Sequence, residues 1–297
     1  MSDFSPQARM SGWWATDSRR SVSGKLIDVI LEKRGQKGFD DLSENEAVQM
    51  GKALEQTIGR IFEEQTGIGV RHFTDDKTHP TEPWLKAHTD FLTSDGGLLE
   101  VKNFNTFAIN DYSEMDEPLR MPEADYIQCL HEATVFDVPH VYFAVLFGGQ
   151  RFRFWKLEFT ADQKAEFVQR AASWWGLSQA GDLPPPETND QAKKVYAVDR
   201  GGYVVATKQV EQLIAALKNV KGQISPLETA QEEAEVILKK FMADKSEIVD
   251  VSGRSLVTWK AAKSTMVFDL DAFKTAFPDL YQQFKREKPG SRRFLVK

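Results

Sequence analysis

Cysteine is almost absent: Cys129 is the one cysteine in 297 residues. That excludes a disulfide framework within the chain and any all-cysteine zinc or iron–sulfur site, and it fits a reducing compartment. Long hydrophobic runs are also missing. No stretch approaches the roughly 20 apolar residues of a membrane helix, and the opening MSDFSPQARM has no apolar core of a secretory leader, so a cytoplasmic protein is expected, with no membrane partner. An excess of positive charge is lacking too. With 38 basic against 44 acidic residues the net charge is -6, which makes no global electrostatic case for nucleic acid. A site that gathers carboxylates for a metal, with a few local phosphate-binding cations, is compatible with such a surface.

What is present is an ordinary globular composition, 41% hydrophobic and 28% charged. Residues 26–31 read as a short buried helix ending near Gly35, preceded by Arg19, Arg20, Ser21, Ser23 and Lys25. Hydroxyls and cations at a helix start suit an anion; they equally suit a capped helix with exposed arginines. Ala47, Met50, Leu54, Ile58, Ile61 and Phe62 recur at spacings of three and four, which predicts a helix over 45–66 stopped at Gly67. Glu55 borders that apolar stripe. Strands are expected at 68–73, 87–93, 98–101, 141–146 and 150–157, with helices at 124–135 and 161–175. The order predicts an α/β fold, a sheet with helices on its faces. Gly181 and the prolines at 184–186 mark a linker, beyond which a long helix or helical pair over 209–243, interrupted near 222–226, a small β unit over 247–259 and 265–268 turning at Gly253, and a helix over 271–284 are expected. The predicted division is a first domain over 1–177, a linker over 178–194 and an extension over 195–297.

The chemistry centres on His88-Thr89-Asp90 followed, after a turn at Asp95-Gly96-Gly97, by Leu99-Glu100-Val101-Lys102. Alternate side chains of a strand share a face, so Glu100 and Lys102 emerge together, and a hairpin brings Asp90 beside them. Hard carboxylate oxygens of this kind hold Mg²⁺ beside a phosphate, while a lysine orients the nucleophile or neutralises developing charge. Glu55 and the backbone carbonyl of Val101 are further candidate ligands. Taken alone, a Glu-x-Lys pair also serves to solvate a sheet edge.

The neighbouring motifs carry more. Met50-Gly51-Lys52-Ala53-Leu54-Glu55, Phe62-Glu63-Glu64-Gln65-Thr66-Gly67, Ala87-His88-Thr89-Asp90, Leu99-Glu100-Val101-Lys102, Tyr126-Ile127-Gln128 and Ala144-Val145-Leu146-Phe147-Gly148-Gly149 occur in an order that resembles the lambda-exonuclease and YqaJ-type viral recombinase family, within the PD-(D/E)xK nuclease superfamily. The resemblance covers about the first half of the chain. It implies a PD-(D/E)xK core, a central mixed sheet flanked by helices, with a C-terminal helical and small β extension. It also implies that Asp90, Glu100 and Lys102 form the nuclease triad with Gln128 supporting it, that Glu55, Asp90, Glu100 and Val101 hold one or two Mg²⁺ ions, with Mn²⁺ as an expected substitute, and that Arg19 or Arg20 with Ser21 and Ser23 holds a DNA 5′-phosphate. The activity implied is 5′→3′ degradation of one strand at double-stranded DNA ends, in the cytoplasm of a bacterial host if the gene is a phage's. A single-strand annealing protein is the implied partner and a ring-shaped homotrimer the implied assembly. Two departures stand out: Thr89 precedes the first aspartate where the family has proline, and Leu130 follows Gln128 where a second glutamine is common. An endonuclease using the same residues and a non-catalytic recombination scaffold are the competing readings.

Other patterns are weaker. His72, His79 and His88 lack ligand spacing; the pairs Trp13-Trp14 and Trp174-Trp175 suit packing more than base stacking; Cys129 reads as a small buried apolar residue.

Overall fold

The computed structural model describes residues 6–287 and 290–297; residues 1–5, part of the opening read above for a leader, lie outside it. The chain divides into two compact units, Met1–Val195 and Tyr196–Lys297.

The first unit opens with α1 (Pro6–Met10), β1 (Trp13–Trp14), α2 (Ala15–Arg20), a wide π-type turn at Ser21–Lys25 and α3 (Leu26–Lys33). A long helix, α4 (Glu46–Thr66), follows. The Asn45 side chain accepts from the backbone N–H of Ala47 and Val48 at its start, and Gly67 ends it at φ 71°. Then come β2 (Val70–His72), β3 (Lys77–Thr78), β4 (Leu85–Ala87), β5 (Phe91–Thr93), β6 (Leu98–Phe104), α5 (Glu123–Phe136), β7 (His140–Phe147), β8 (Arg151–Glu158), α6 (Ala161–Gln179) and α7 (Asn189–Val195). The main sheet has the order β2-β5-β6-β7-β8, parallel only between β6 and β7. Joining two parallel strands requires a crossover, and α5 supplies it. β7, buried at every position, is an interior strand of a sheet covered on both faces. One face, through Leu99, Val101, Tyr142, Ala144 and Leu146, packs on Ile58 and Phe62 of α4. The other, through Leu98, Val141, Phe143, Val145 and Phe147, packs on α5 and α6. The expected α/β sheet flanked by helices is therefore the architecture of this unit.

Five expectations need correction. The strand predicted over 87–93 is two strands in different sheets, because β4 pairs with β1 and β3 while β5 joins the main sheet. Residues 178–194 are not a free linker. Arg34 donates to the carbonyls of Leu177, Ser178, Gly181 and Asp182, Gln191 donates to the Gly24 carbonyl at 2.9 Å, and the Lys194 ammonium meets both Asp28 oxygens at 2.7 and 2.8 Å. These contacts strap the segment onto the first unit, and the division falls after Val195. In the second unit, α8 (Lys208–Met242) runs unbroken through Pro226; one missing N–H costs a single internal hydrogen bond, and the flanking turns carry the helix past it. The hairpin β9 (Glu247–Val249) and β10 (Ser255–Thr258) turns at Gly253, φ 82°. Residues 265–268 form no strand, and Pro278 divides the last expected helix into α9 (Leu270–Ala276) and α10 (Pro278–Phe284).

A buried polar relay ties the small sheet to α5. The Trp13 indole N–H donates to Ser18 Oγ at 3.0 Å, Ser18 Oγ–H donates to His131 Nδ1 at 2.8 Å, and His131 Nε2–H donates to the Lys86 carbonyl at 2.9 Å. Burial holds the imidazole neutral, its pKa lowered to about 3. The unfolded chain takes up this proton near pH 6.5, whereas the folded one resists it, so the stabilisation is complete above about 6.5 and is lost as pH falls towards 3. Urea titrations are expected to show stability falling by up to about 1.4 kcal/mol per pH unit through that window. His131→Gln should lower stability at neutral pH and flatten the slope, and an unchanged slope would refute the assignment.

Candidate active site

Sheet pairing creates the site by ending early. β5 pairs with β6 only through Phe91 with Leu99 and Leu92 with Leu98. Among the described residues no strand pairs with this edge of β6 beyond Leu99, and Asp90, just before β5, fills the gap by accepting from Val101 N–H at 2.9 Å. The N–H and C=O of one strand residue leave on the same edge, so the Val101 carbonyl faces the Asp90 side as well.

Alternation along β6 sends Glu100 and Lys102 to the face covered by α5. There the Gln128 amide donates to Glu100 Oε1 at 2.6 Å and to Glu132 Oε1 at 3.0 Å, while the Lys102 ammonium makes a tight ion pair with Glu100 Oε1. Glu100, Gln128 and Glu132 are all buried. Burial, reinforced by Glu100, pushes both the Asp90 and Glu132 carboxyls well above the usual carboxylate range. Burial alone would lower the Lys102 ammonium; Glu100 and Asp90 reverse that and raise it, so it stays charged. Among the described residues Glu132 Oε2 and Gln128 Oε1 are buried without a hydrogen-bond partner.

A cavity of about 200 Å³ opens on these groups. Asp90, Glu100, Lys102, Gln128 and Glu132 line it together with His88, and the N-terminal segment closes it with Arg9 and with Trp14 to Thr16. A larger hollow of about 660 Å³ lies beside α6, but its lysine, Lys164, is already paired with Asp137 at 3.2 Å. The smaller cavity is the one with converging charge.

The structure therefore brings together Asp90, Glu100, Lys102 and Gln128, with Val101 behind them. Glu55 stands apart: it rides on α4, which packs on the opposite face, and its carboxylate meets His72 Nε2 at 2.9 Å. Its charge still acts on Asp90. The arginines expected at a phosphate already have carboxylate partners, Arg19 with Asp125 at 2.8 Å and Arg20 with both oxygens of Glu32 at 2.6 and 2.8 Å. Ser21 and Ser23 hydroxyls donate to backbone carbonyls of the preceding turn. None of these four lines the cavity, whose N-terminal wall lies a turn earlier. Glu132 is the residue that pattern reading missed; its only sequence signal is the i, i+4 spacing from Gln128. Among the described residues no three histidine, cysteine or carboxylate groups are disposed as a metal cage, and none of the helices is long and apolar enough to cross a membrane. The tryptophan pairs pack, Trp13 on Trp174 and Trp84 on Trp175.

The chain is similar to known proteins. Residues 13–138 match the YqaJ-like viral recombinase domain. The uncharacterized protein YqaJ of Bacillus subtilis strain 168 is 25% identical over 307 aligned positions, covering 96% of this chain and 93% of that protein. Among solved structures, an alkaline exonuclease from Laribacter hongkongensis is similar at 18% identity, 58% of this chain, 90% of that chain and a TM-score of 0.49. A putative exonuclease from Eubacterium rectale is similar at 8% identity, 68% of this chain, 94% of that chain and a TM-score of 0.45. The matched segment carries every residue lining the cavity except Arg9, so the similarity to the YqaJ-like viral recombinase domain falls on the part of the chain that forms the site.

Proposed function

We propose that the chain is a divalent-metal-dependent DNA exonuclease, working 5′→3′ on one strand of duplex ends and leaving a 3′ single strand for an annealing protein. The observation that carries the reading is the buried convergence of Asp90, Glu100 and Lys102 at the open edge of β6, with Gln128 fixing Glu100 from α5. Asp90, pushed up by burial and by the charge of Glu100 beside it, belongs to a donor set that a hard cation would satisfy, so the residues fit Mg²⁺. Asp90, Glu100 and the Val101 carbonyl would hold it, with Glu55 able to join after leaving His72. A bound ion of this kind supplies a nucleophilic water and charge neutralisation at the scissile phosphate.

The chain's own groups have separate tasks. Gln128 holds Glu100 Oε1 in place. Lys102, kept charged, orients the attacking water or neutralises charge developing on the phosphate oxygens. Arg19, Arg20, Ser21 and Ser23 are the proposed 5′-phosphate contacts, which requires the arginines to share Asp125 and Glu32 with the DNA end.

The test is nucleotide release from linear duplex DNA against a covalently closed circle, in Mg²⁺ and in chelator, with 5′-phosphate and 5′-hydroxyl ends compared. Release from the linear substrate alone, needing metal and favouring the 5′-phosphate, is expected. Efficient cutting of the circle would make the enzyme an endonuclease, and DNA binding without release in Mg²⁺ or Mn²⁺ would make it a scaffold.

A further inference from the structure

α8 spans Lys208–Met242, about 50 Å at the helical rise. Most of its large apolar residues keep a seven-residue repeat, with Ile214, Val236, Ile237 and Met242 outside it. Val210, Leu217, Ile224, Gln231 and Leu238 occupy the first position, and Leu213, Val220, Leu227, Ala234 and Phe241 the fourth. The large apolar members of this set are between 36% and 77% exposed. A helix that packs on a globular core shows a broader stripe of period 3.6, whereas a narrow seam of period 3.5 maintained beyond about three to four heptads belongs to a coiled coil.

The positions of the helix breakers agree with the seam. Pro226 and Gly222 fall at the third and sixth heptad positions, on the outer side, so the missing hydrogen bond at Pro226 faces away from it. An isolated helix does not keep such a stripe in water without a partner. Within its own unit the other described helices, α9 and α10, are seven residues each, too short to cover it.

We propose that α8 pairs in parallel and in register with α8 of a second copy of this chain. The polar residue of the seam selects this occupant. Gln231 interrupts an otherwise apolar line, and a single polar residue at the first heptad position fixes register. In a parallel in-register pair it faces its own counterpart, and an amide both donates and accepts, so the two satisfy each other; against an apolar partner both would be buried unpaired. The flanks are compatible. The seventh positions, Gln209, Ala216, Gln223, Ala230 and Ile237, are uncharged, so Lys221, Glu228 and Glu235 at the fifth positions meet no like charge across the seam. This pairing does not depend on the nuclease reading.

Disulfide trapping of the full chain tests it. Gln231→Cys, at the seam, is expected to convert most of the chain into a covalent dimer under mild oxidation, since Cys129 is buried. Val236→Cys, on the outer side, is expected to give no more dimer than the unsubstituted chain. Adding Leu217→Glu and Leu227→Glu to Gln231→Cys should abolish the trapping, and light scattering should show the mass of the assembly fall with it. No dimer from Gln231→Cys, or equal dimer from both cysteine variants, overturns the proposal.

Discussion

Glu100→Gln is expected to lower nucleotide release from linear duplex DNA by roughly two to three orders of magnitude, with Lys102→Ala producing a comparable loss. The two substitutions act on one contact, the ion pair between Lys102 and Glu100 Oε1, but remove different functions. Glutamine keeps an oxygen for the Gln128 amide, now 2.6 Å away, so the packing against α5 survives while the charge that would hold a metal is gone. Alanine at 102 leaves Asp90 and Glu100 facing each other without the nearby cation that moderates Asp90. Asp90 should then take up a proton more readily and bind metal more weakly. Single-turnover release over a Mg²⁺ series separates the cases. Excess metal should recover part of the Lys102→Ala loss and little of the Glu100→Gln loss, and a thermal melt confirms folding in each. Release within a few-fold of the unsubstituted enzyme in both variants would mean that the chemistry lies elsewhere.

The core of this site was legible because strands advertise themselves locally. The seven consecutive apolar residues of β7 from Val141 to Phe147, the turn at Asp95 to Gly97 and the alternation of Glu100 with Lys102 are short-range patterns, and they place Asp90, Glu100 and Lys102 together without knowledge of the rest of the chain. Other features depend on partners distant in sequence. Glu132 looks like a surface glutamate of α5 until the opposite wall is known to carry Glu100 and Lys102. Arg19 and Arg20 read as free cations because Asp125 and Glu32, which hold them, have no local relation to them. Residues 178–194 have a linker's composition, and only Arg34, Gly24 and Asp28 reveal a strap. The break between β4 and β5 was hidden for a related reason, since an apolar pattern reports burial but not which sheet provides it.

The N-terminal wall of the cavity rests on a second buried pair, and its removal carries the largest expected stability effect. Lys33 Nζ on α3 meets Asp17 Oδ2 on α2 at 2.5 Å, with the two side chains 0% and 2% exposed. The ammonium also donates to the Arg9 carbonyl, and the carboxylate accepts from Trp14 N–H at 2.8 Å, so the pair fixes the backbone of two residues lining the cavity. Burial lowers the Lys33 pKa and Asp17 opposes the shift, the sign expected when desolvation and attraction compete. Lys33→Met preserves most of the volume but strands the Asp17 charge, and urea unfolding should show a loss of about 3–5 kcal/mol. Adding Asp17→Asn removes the stranded charge, and its amide oxygen can still accept from Trp14, so the double variant should be more stable than Lys33→Met alone. A double variant as unstable as the sum of the two single substitutions would show that the charges do not interact across this contact. If they do interact, Lys33→Met should also slow nucleotide release at temperatures where the protein remains folded, because Arg9 and Trp14 lose the ammonium and carboxylate that set their main chain at the cavity wall.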